Sequence, residues 1–121
     1  MAVRGIRGAI SVENNSQETI SQATRELISE IIKKNQIDTK DIAGAFFSVT
    51  RDLDAQFPAR TAREIGWENV PMMCTWEMDV PGSMKGIIRA MILWNTELTQ
   101  DEIKHIYLKR ATALRPDLVE R

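Results

Sequence analysis

The sequence contains few of the residues that build disulfides and transition-metal sites, with one cysteine and one histidine among 121 residues. A disulfide framework within the chain is therefore excluded, and a Cys/His metal site is not expected. No apolar run approaches the roughly 18 residues of a membrane-spanning helix, and the N-terminal residues lack the apolar core of a signal peptide. We therefore expect a cytoplasmic protein that does not use a membrane.

The sequence also lacks a large excess of either positive or negative charge. Sixteen Lys and Arg residues are balanced by seventeen Asp and Glu residues, and the isoelectric point is about 5.9. No global positive field is available to attract nucleic acid, so any anion-binding site must be built locally. The length suits a single domain, residues 1–121, that buries roughly two-thirds of its unfolded surface.

Two charged residues accompany the most apolar part of the chain. Apolar segments before and after a turn at Pro81-Gly82 predict two strands, which we interpret as a hairpin. Glu77 ends the first segment and Arg89 lies in the middle of the second. A guanidinium in such a strand must be paired, exposed at an edge or directed into an anion-binding cavity, because an unpaired buried charge costs several kcal/mol. A structural Arg89–Glu77 ion pair and an anion site both remain open.

The first half of the chain predicts one long helix and two strands. A polar cap at Asn15 or Ser16 begins a long amphipathic helix that ends near Asn35. Strands are predicted at about residues 2–12 and 43–49.

The second half of the chain adds a short helix at about 57–66, with Pro58 in its first turn. A capping box at Thr99 permits a helix through Ala113, whereas alternation favours a strand at 103–108. Four or five apolar strands and one long helix indicate an α+β fold with a mixed sheet. One face of that sheet is left for other copies of the chain.

Several short motifs, in this order and spacing, resemble the AroH-class chorismate mutases, the small trimeric type. The resemblance extends from about Val3 to Leu118 and includes Arg4-Gly5-Ile6-Arg7-Gly8-Ala9, Phe57-Pro58-Ala59 with Arg63, Cys74 followed by Glu77-Met78-Asp79-Val80, Arg89 in its strand, His105-Ile106-Tyr107-Leu108 and Leu114-Arg115-Pro116-Asp117-Leu118. It implies a mixed β-sheet with one long helix, packed as a pseudo-α/β-barrel homotrimer with active sites between adjacent subunits. It also favours the strand at 103–108.

The reaction implied by the resemblance is the intramolecular rearrangement of chorismate to prephenate, a step of phenylalanine and tyrosine synthesis. Because one dianionic molecule rearranges within itself, the resemblance implies no covalent intermediate, metal or organic cofactor. Arginines from several elements would bind the two carboxylates.

The resemblance also assigns roles to single residues. It implies that Arg7 binds a carboxylate, that Arg89 stabilises the ether oxygen of the breaking bond, and that Glu77 accepts a hydrogen bond from the ring hydroxyl. Tyr107 would reach a carboxylate through its hydroxyl, and Cys74 would line the pocket beside the ring.

Further binding residues come from the pocket wall and from a neighbouring subunit. The wall would contain Met72 and Met73, and the neighbour would supply Phe57, Ala59, Arg60, Arg63 and Leu114, with Arg115 closing over the site on a flexible tail at about 114–121. Two positions depart from the family pattern, since Met73 stands where threonine is frequent and Arg60 where lysine is common.

Two other functions use the same residues. A non-enzymatic trimer that binds a small carboxylate would use the arginines but would not need Glu77 beside Arg89. A hydrolase or lyase with Glu77 and Asp79 as paired carboxylates is the weaker alternative, because nothing else marks a general acid and base.

Overall fold

The computed structural model describes residues 1–119, which form one mixed five-stranded sheet with helices packed against it. The elements in chain order are β1 (Ala2–Ser11), α1 (Gln17–Asn35), β2 (Ile42–Val49), α2 (Pro58–Glu64), β3 (Met72–Trp76), β4 (Ile87–Thr96), β5 (Ile106–Leu108) and α3 (Pro116–Val119). Short 3-10 helices lie at Thr39–Asp41, Gln100–Glu102 and Lys109–Ala113. The strand order is β3-β2-β4-β1-β5. Within residues 1–119, no helix has both the length and the hydropathy that crossing a bilayer requires.

The two longer helices confirm the sequence prediction. Ser16 caps α1, where its hydroxyl oxygen accepts the Thr19 N–H at 3.0 Å. Pro58 begins α2, and Gly66, just beyond its end, has a φ of +111° that favours glycine.

Burial of one apolar face holds α1 against the sheet. Leu27 and Ile31 on α1 are fully buried. The helix approaches β1 closely at Gly8, where a Cβ atom would lie 2.7 Å from the Ile31 Cδ1. The lack of a side chain at Gly8 therefore allows the close contact between β1 and α1.

The predicted hairpin between the two central apolar segments is wrong. β2 lies between β3 and β4, parallel to the first and antiparallel to the second. The intervening segment, residues 77–86, is long enough to pass the end of β2, so the two strands need not pair with each other. Apolar alternation identifies a strand but not its neighbour.

The region after Thr99 resolves the choice between helix and strand. The Thr99–Glu102 capping box is present, but it begins only a 3-10 turn at Gln100–Glu102. A strand follows, which is shorter than predicted because it starts at Ile106, and it pairs in parallel with β1. The alternative of a continuous helix through Ala113 is wrong.

One face of the sheet is covered by α1 and α2, whereas the other is covered at one end only. There, residues of the 3-10 helix Lys109–Ala113 and of α3 pack over Ile87 and Tyr107. Three large apolar side chains lie in adjacent register on β3, β2 and β4 and stay 37–59% exposed: Met73, Phe46 and Met91. The open part of this face contains the candidate site.

Candidate active site

Strand register aligns polar groups across the partly open face of the sheet. Arg89 on β4 lies opposite Ser48 on β2 and Ala9 on β1, and Ala9 lies opposite Tyr107 on β5. Thr75 on β3 lies opposite Ser48. Each of these residues is the direct cross-strand neighbour of the next. The polar side chains of Thr75, Ser48, Arg89 and Tyr107, from four strands, therefore lie on one level of the sheet, that is, on one line across its strands.

The centre of the site is an ion pair between Arg89 and Glu77. The Arg89 Nε lies 3.1 Å from the Glu77 Oε1, and the two side chains are 38% and 25% exposed. The Nε atom itself is buried, and among the described residues it has no hydrogen-bond partner of acceptable alignment. The short distance keeps the two opposite charges in contact, although the pair does not have the geometry of a hydrogen bond. The predicted pairing of the two residues is confirmed.

Glu77 is held by β2 although it lies just beyond the end of β3. Its backbone N–H donates to the Val49 carbonyl at 2.9 Å. Its Oε2 accepts a hydrogen bond from the Ser48 hydroxyl. Each carboxylate oxygen therefore has its own partner, Ser48 on one side and Arg89 on the other.

Arg7, Arg115 and Tyr107 border the same cleft, which has a volume of about 610 Å³. The Arg7 backbone N–H donates to the His105 Nδ1 at 2.9 Å, so this nitrogen carries no proton in that bond. The Arg115 guanidinium donates to both Asp117 carboxylate oxygens at 3.0 and 2.8 Å. This hydrogen bonding to Asp117 raises the pKa of Arg115 above its usual value.

The cleft combines positive charge with apolar walls. Among its described lining residues, three arginines accompany a single carboxylate, and the rest include Phe46, Met91 and Leu114. Guanidinium groups bind carboxylates through paired N–H donors. The cleft therefore suits a small dianion with an apolar frame.

Leu114 lies in a different place from the one that the resemblance implies. It was expected from the neighbouring subunit, but it borders the same chain's cleft beside Arg115. The cause is the 3-10 helix Lys109–Ala113, which folds back over the sheet and packs Leu114 against the cluster around Ile87.

A second group of predicted residues lies apart from this cleft. Phe57, Arg60 and Cys74 line a separate cavity of about 480 Å³, which shares Thr75 and Trp76 with the first. Phe57 is 68% exposed at the start of α2. One chain therefore has two separate cavities on either side of β3.

The remaining predicted residues surround Cys74 on β3. Burial raises the pKa of its thiol above 9.0, and this effect outweighs a backbone hydrogen bond with Ala59 and the charge of Arg63. Ala59 is buried, whereas Arg63 is exposed at the end of α2. Met72 packs against the main core, and Met73 lies on the open sheet face. None of these residues borders the cleft that contains Arg89.

The paired carboxylates of the alternative hydrolase share a second cavity but not the main cleft. Glu77 and Asp79 both line a cavity of about 310 Å³ beside the 77–86 segment, whereas only Glu77 also borders the cleft that contains Arg89. Within residues 1–119, no group of His, Cys, Asp and Glu side chains has the geometry of a metal site.

One residue of the site was missed at the level of sequence. Ser48 is the polar member of the apolar segment Ala43–Val49, and that position in a predicted strand was the available signal. Its meaning depends on the pairing of β2 with β4, which the sequence pattern did not predict.

Comparisons with known proteins agree with this fold. The family described as chorismate mutase type I matches residues 3–118. The chorismate mutase AroH of Thermus thermophilus is 49% identical over 117 residues, covering 96% of this chain and 96% of that protein. The chorismate mutase AroH of Bacillus subtilis (strain 168) is 45% identical over 119 residues, covering 98% and 94%.

A solved structure agrees in three dimensions. A chorismate mutase from Clostridium thermocellum superposes with a TM-score of 0.88 at 43% identity, covering 90% of this chain and 97% of that chain. Sheet, cleft and sequence thus all indicate a small-molecule isomerase of mixed α+β fold. The chain belongs to the type I chorismate mutase family.

Proposed function

We infer that this chain is a chorismate mutase, an isomerase that converts chorismate to prephenate, and we propose that it does so in the cleft around Arg89. The observation that carries the assignment of the site is the cationic cleft with an ion-paired arginine at its centre. The rearrangement breaks one C–O bond and forms one C–C bond within the same molecule. It therefore requires no external oxidant, acceptor or nucleophile.

Arg89 and Glu77 are the proposed catalytic pair. As the ether bond breaks, negative charge develops on its oxygen, and a preorganised donor at that point stabilises the transition state more than the ground state. The Arg89 guanidinium suits this role because its side chain is partly exposed and borders the cleft, while its Nε lies 3.1 Å from the Glu77 carboxylate. Glu77 keeps Arg89 in place and accepts a hydrogen bond from the ring hydroxyl.

The other cleft residues hold the dianion in its compact, reactive conformation. Arg7 and Tyr107 bind carboxylates, and Arg115 closes the cleft after exchanging Asp117 for a substrate carboxylate. Confinement of a flexible substrate in a reactive geometry supplies a further part of the rate enhancement.

The complete site is proposed to lie between two subunits of a homotrimer, each a single domain of residues 1–121. A neighbour would bring Phe57, Ala59, Arg60 and Arg63 to the open cleft, with Cys74, Met72 and Met73 at the contact. Two observations support this: the two cavities that contain these residues are separate within one chain, and the sheet face beside the cleft exposes Met73, Phe46 and Met91.

Residues 120 and 121 of the predicted tail lie outside the described residues. A cytoplasmic location belongs to the same proposal and is supported by the single, unpaired Cys74.

Mixing two inactive variants tests this arrangement. Arg89→Ala and Arg63→Ala damage different halves of each site, so each variant alone is expected to be inactive. In randomly mixed trimers about one quarter of the sites combine two intact halves, and about that fraction of wild-type activity should return. Turnover is followed by the loss of the chorismate diene absorbance, with prephenate confirmed as product. Mixed trimers that are verified by native mass spectrometry and regain no activity would contradict shared sites.

A further inference from the structure

Ser48 is a polar residue in a strand that is otherwise apolar. It lies on β2 between Thr75 of β3 and Arg89 of β4, on the level of the sheet that contains the site. Its side chain is half-buried and borders the cleft. Nothing in the core requires a hydroxyl at this position, since its partner is the carboxylate of Glu77.

The carboxylate of Glu77 needs such a partner because its position is not fixed by regular structure. Glu77 follows the last residue of β3, and one backbone hydrogen bond to Val49 ties its main chain to β2. Three side-chain torsions remain between that anchor and the carboxylate. The ion pair with Arg89 is partly solvated and not well aligned, so it restrains these torsions weakly.

The hydroxyl of Ser48 supplies the missing restraint. It donates to the Glu77 Oε2, which turns Oε1 toward the Arg89 Nε. Ser48 and Arg89 are direct cross-strand neighbours, so the donor, the carboxylate and the guanidinium share one rigid piece of sheet. A hydrogen bond to a charged group is stronger than a neutral one and fixes its direction.

We propose that Ser48 is a positioning residue for catalysis, which acts by fixing the carboxylate of Glu77 so that Arg89 is preorganised toward the ether oxygen. This inference rests on the proposed function. Ser48 transfers no proton and forms no bond to the substrate. Its effect should therefore appear in the rate of the chemical step, because Arg89 binds charge that exists only in the transition state.

A matched pair of variants isolates the hydroxyl. Ser48→Thr and Ser48→Val have nearly the same shape and both suit a β-strand, but only threonine keeps the donor. Ser29→Ala, at an exposed position on α1, serves as the control for serine removal away from the sheet. For each protein we would measure kcat and KM for chorismate, together with the melting temperature.

The expected result is a split between the two variants. Ser48→Val should lower kcat about tenfold with KM changed less than about twofold, as expected when a transition-state interaction is loosened. Ser48→Thr should keep kcat within about threefold of wild type, and Ser29→Ala should match wild type.

Three results would overturn the inference. Equal kcat values for Ser48→Thr and Ser48→Val would show that the hydroxyl is irrelevant. A loss confined to KM would indicate a ground-state contact with substrate, and a lower melting temperature with unchanged kinetic constants would indicate a structural role. Absence of turnover in the wild-type protein would instead overturn the proposed function, and the role of Ser48 with it.

Discussion

Replacement of Arg89 by alanine is the most direct test of how the cleft works. Arg89→Ala removes the cation at the centre of the site and leaves Glu77 with its Ser48 hydrogen bond. The strand around it should persist, because the neighbouring side chains of β4 that face the core, Ile88 and Ala90, are unchanged and buried.

Arg89→Ala should change activity and stability by very different amounts. Loss of one preorganised donor to a developing oxyanion typically costs about 10²–10³ in rate, or about 2.7–4 kcal/mol of transition-state stabilisation. The ion pair is partly exposed, at 38% and 25%, so solvent screens it. Pairs of this kind contribute about 0–1 kcal/mol to folding, equivalent to a melting-temperature change of roughly 4 °C or less. Activity should therefore collapse while the fold persists.

The assay combines kinetics with thermal unfolding. Chorismate consumption gives kcat/KM, and circular dichroism gives the melting temperature. Arg25→Ala is the matched control, because it removes an exposed arginine from α1 far from the cleft. Arg89→Lys keeps a positive charge without the planar donor geometry and should recover only part of the rate.

One result would refute the reasoning. If folded Arg89→Ala kept kcat/KM within about threefold of wild type, the cation could not supply the expected part of the barrier. Arg89 would then be a structural partner of Glu77 and nothing more. A loss of activity equal to that of Arg25→Ala would lead to the same conclusion.

Two further predictions concern the connection between β3 and β4. Gly86→Ala should destabilise the fold by more than about 1 kcal/mol in urea denaturation, because φ is +68° and a Cβ would lie 2.6 Å from the Val12 carbonyl oxygen. Gly82→Ala, with φ of +85° and no atom within 4 Å, should cost less, and equal losses would contradict the steric reasoning. Burial raises the pKa of Asp52, but hydrogen bonds from Thr50 and the Gly86 N–H outweigh it and hold that pKa below 3.8. The folded state thus binds the Asp52 proton less tightly than the unfolded state does. Ionised Asp52 therefore stabilises the fold above about pH 4, and this stabilisation is lost below that pH. Stability measured from pH 6 to 3 should fall less steeply in Asp52→Asn, and parallel curves would contradict this role.

The sequence predicts most individual elements of this fold because their signals are local. The Ser16 cap and the apolar spacing that follows define α1 closely, and Pro58 with Gly66 defines α2. Pairing between strands is not a local property, so the order of β3, β2 and β4 could not be predicted from alternation. The resemblance to a known family implied the mixed sheet but not each strand's neighbour.

In the candidate site, too, the residues that could be predicted are those with a local signal in the sequence. Arg89 could be predicted because a charge in an apolar strand requires a partner, and Glu77, at the end of the preceding apolar segment, was the predicted one. Ser48 could not be predicted, because its importance comes from a cross-strand position fixed only in the folded sheet. The location of Leu114 was also missed, since it depends on how the segment Lys109–Ala113 folds back over Ile87.

The position of β1 in the sheet affects how the chain folds during synthesis. Of the five strands, β1 is synthesised first, yet its sheet neighbours are β4 and β5, the two that are synthesised last. Until residues 87–108 emerge, β1 has α1 to pack against but no strand to pair with. Arg7 and Tyr107 likewise meet only after residue 107 has been made. The cleft is therefore assembled late, and a nascent chain must keep an apolar strand from aggregating until its distant partners arrive.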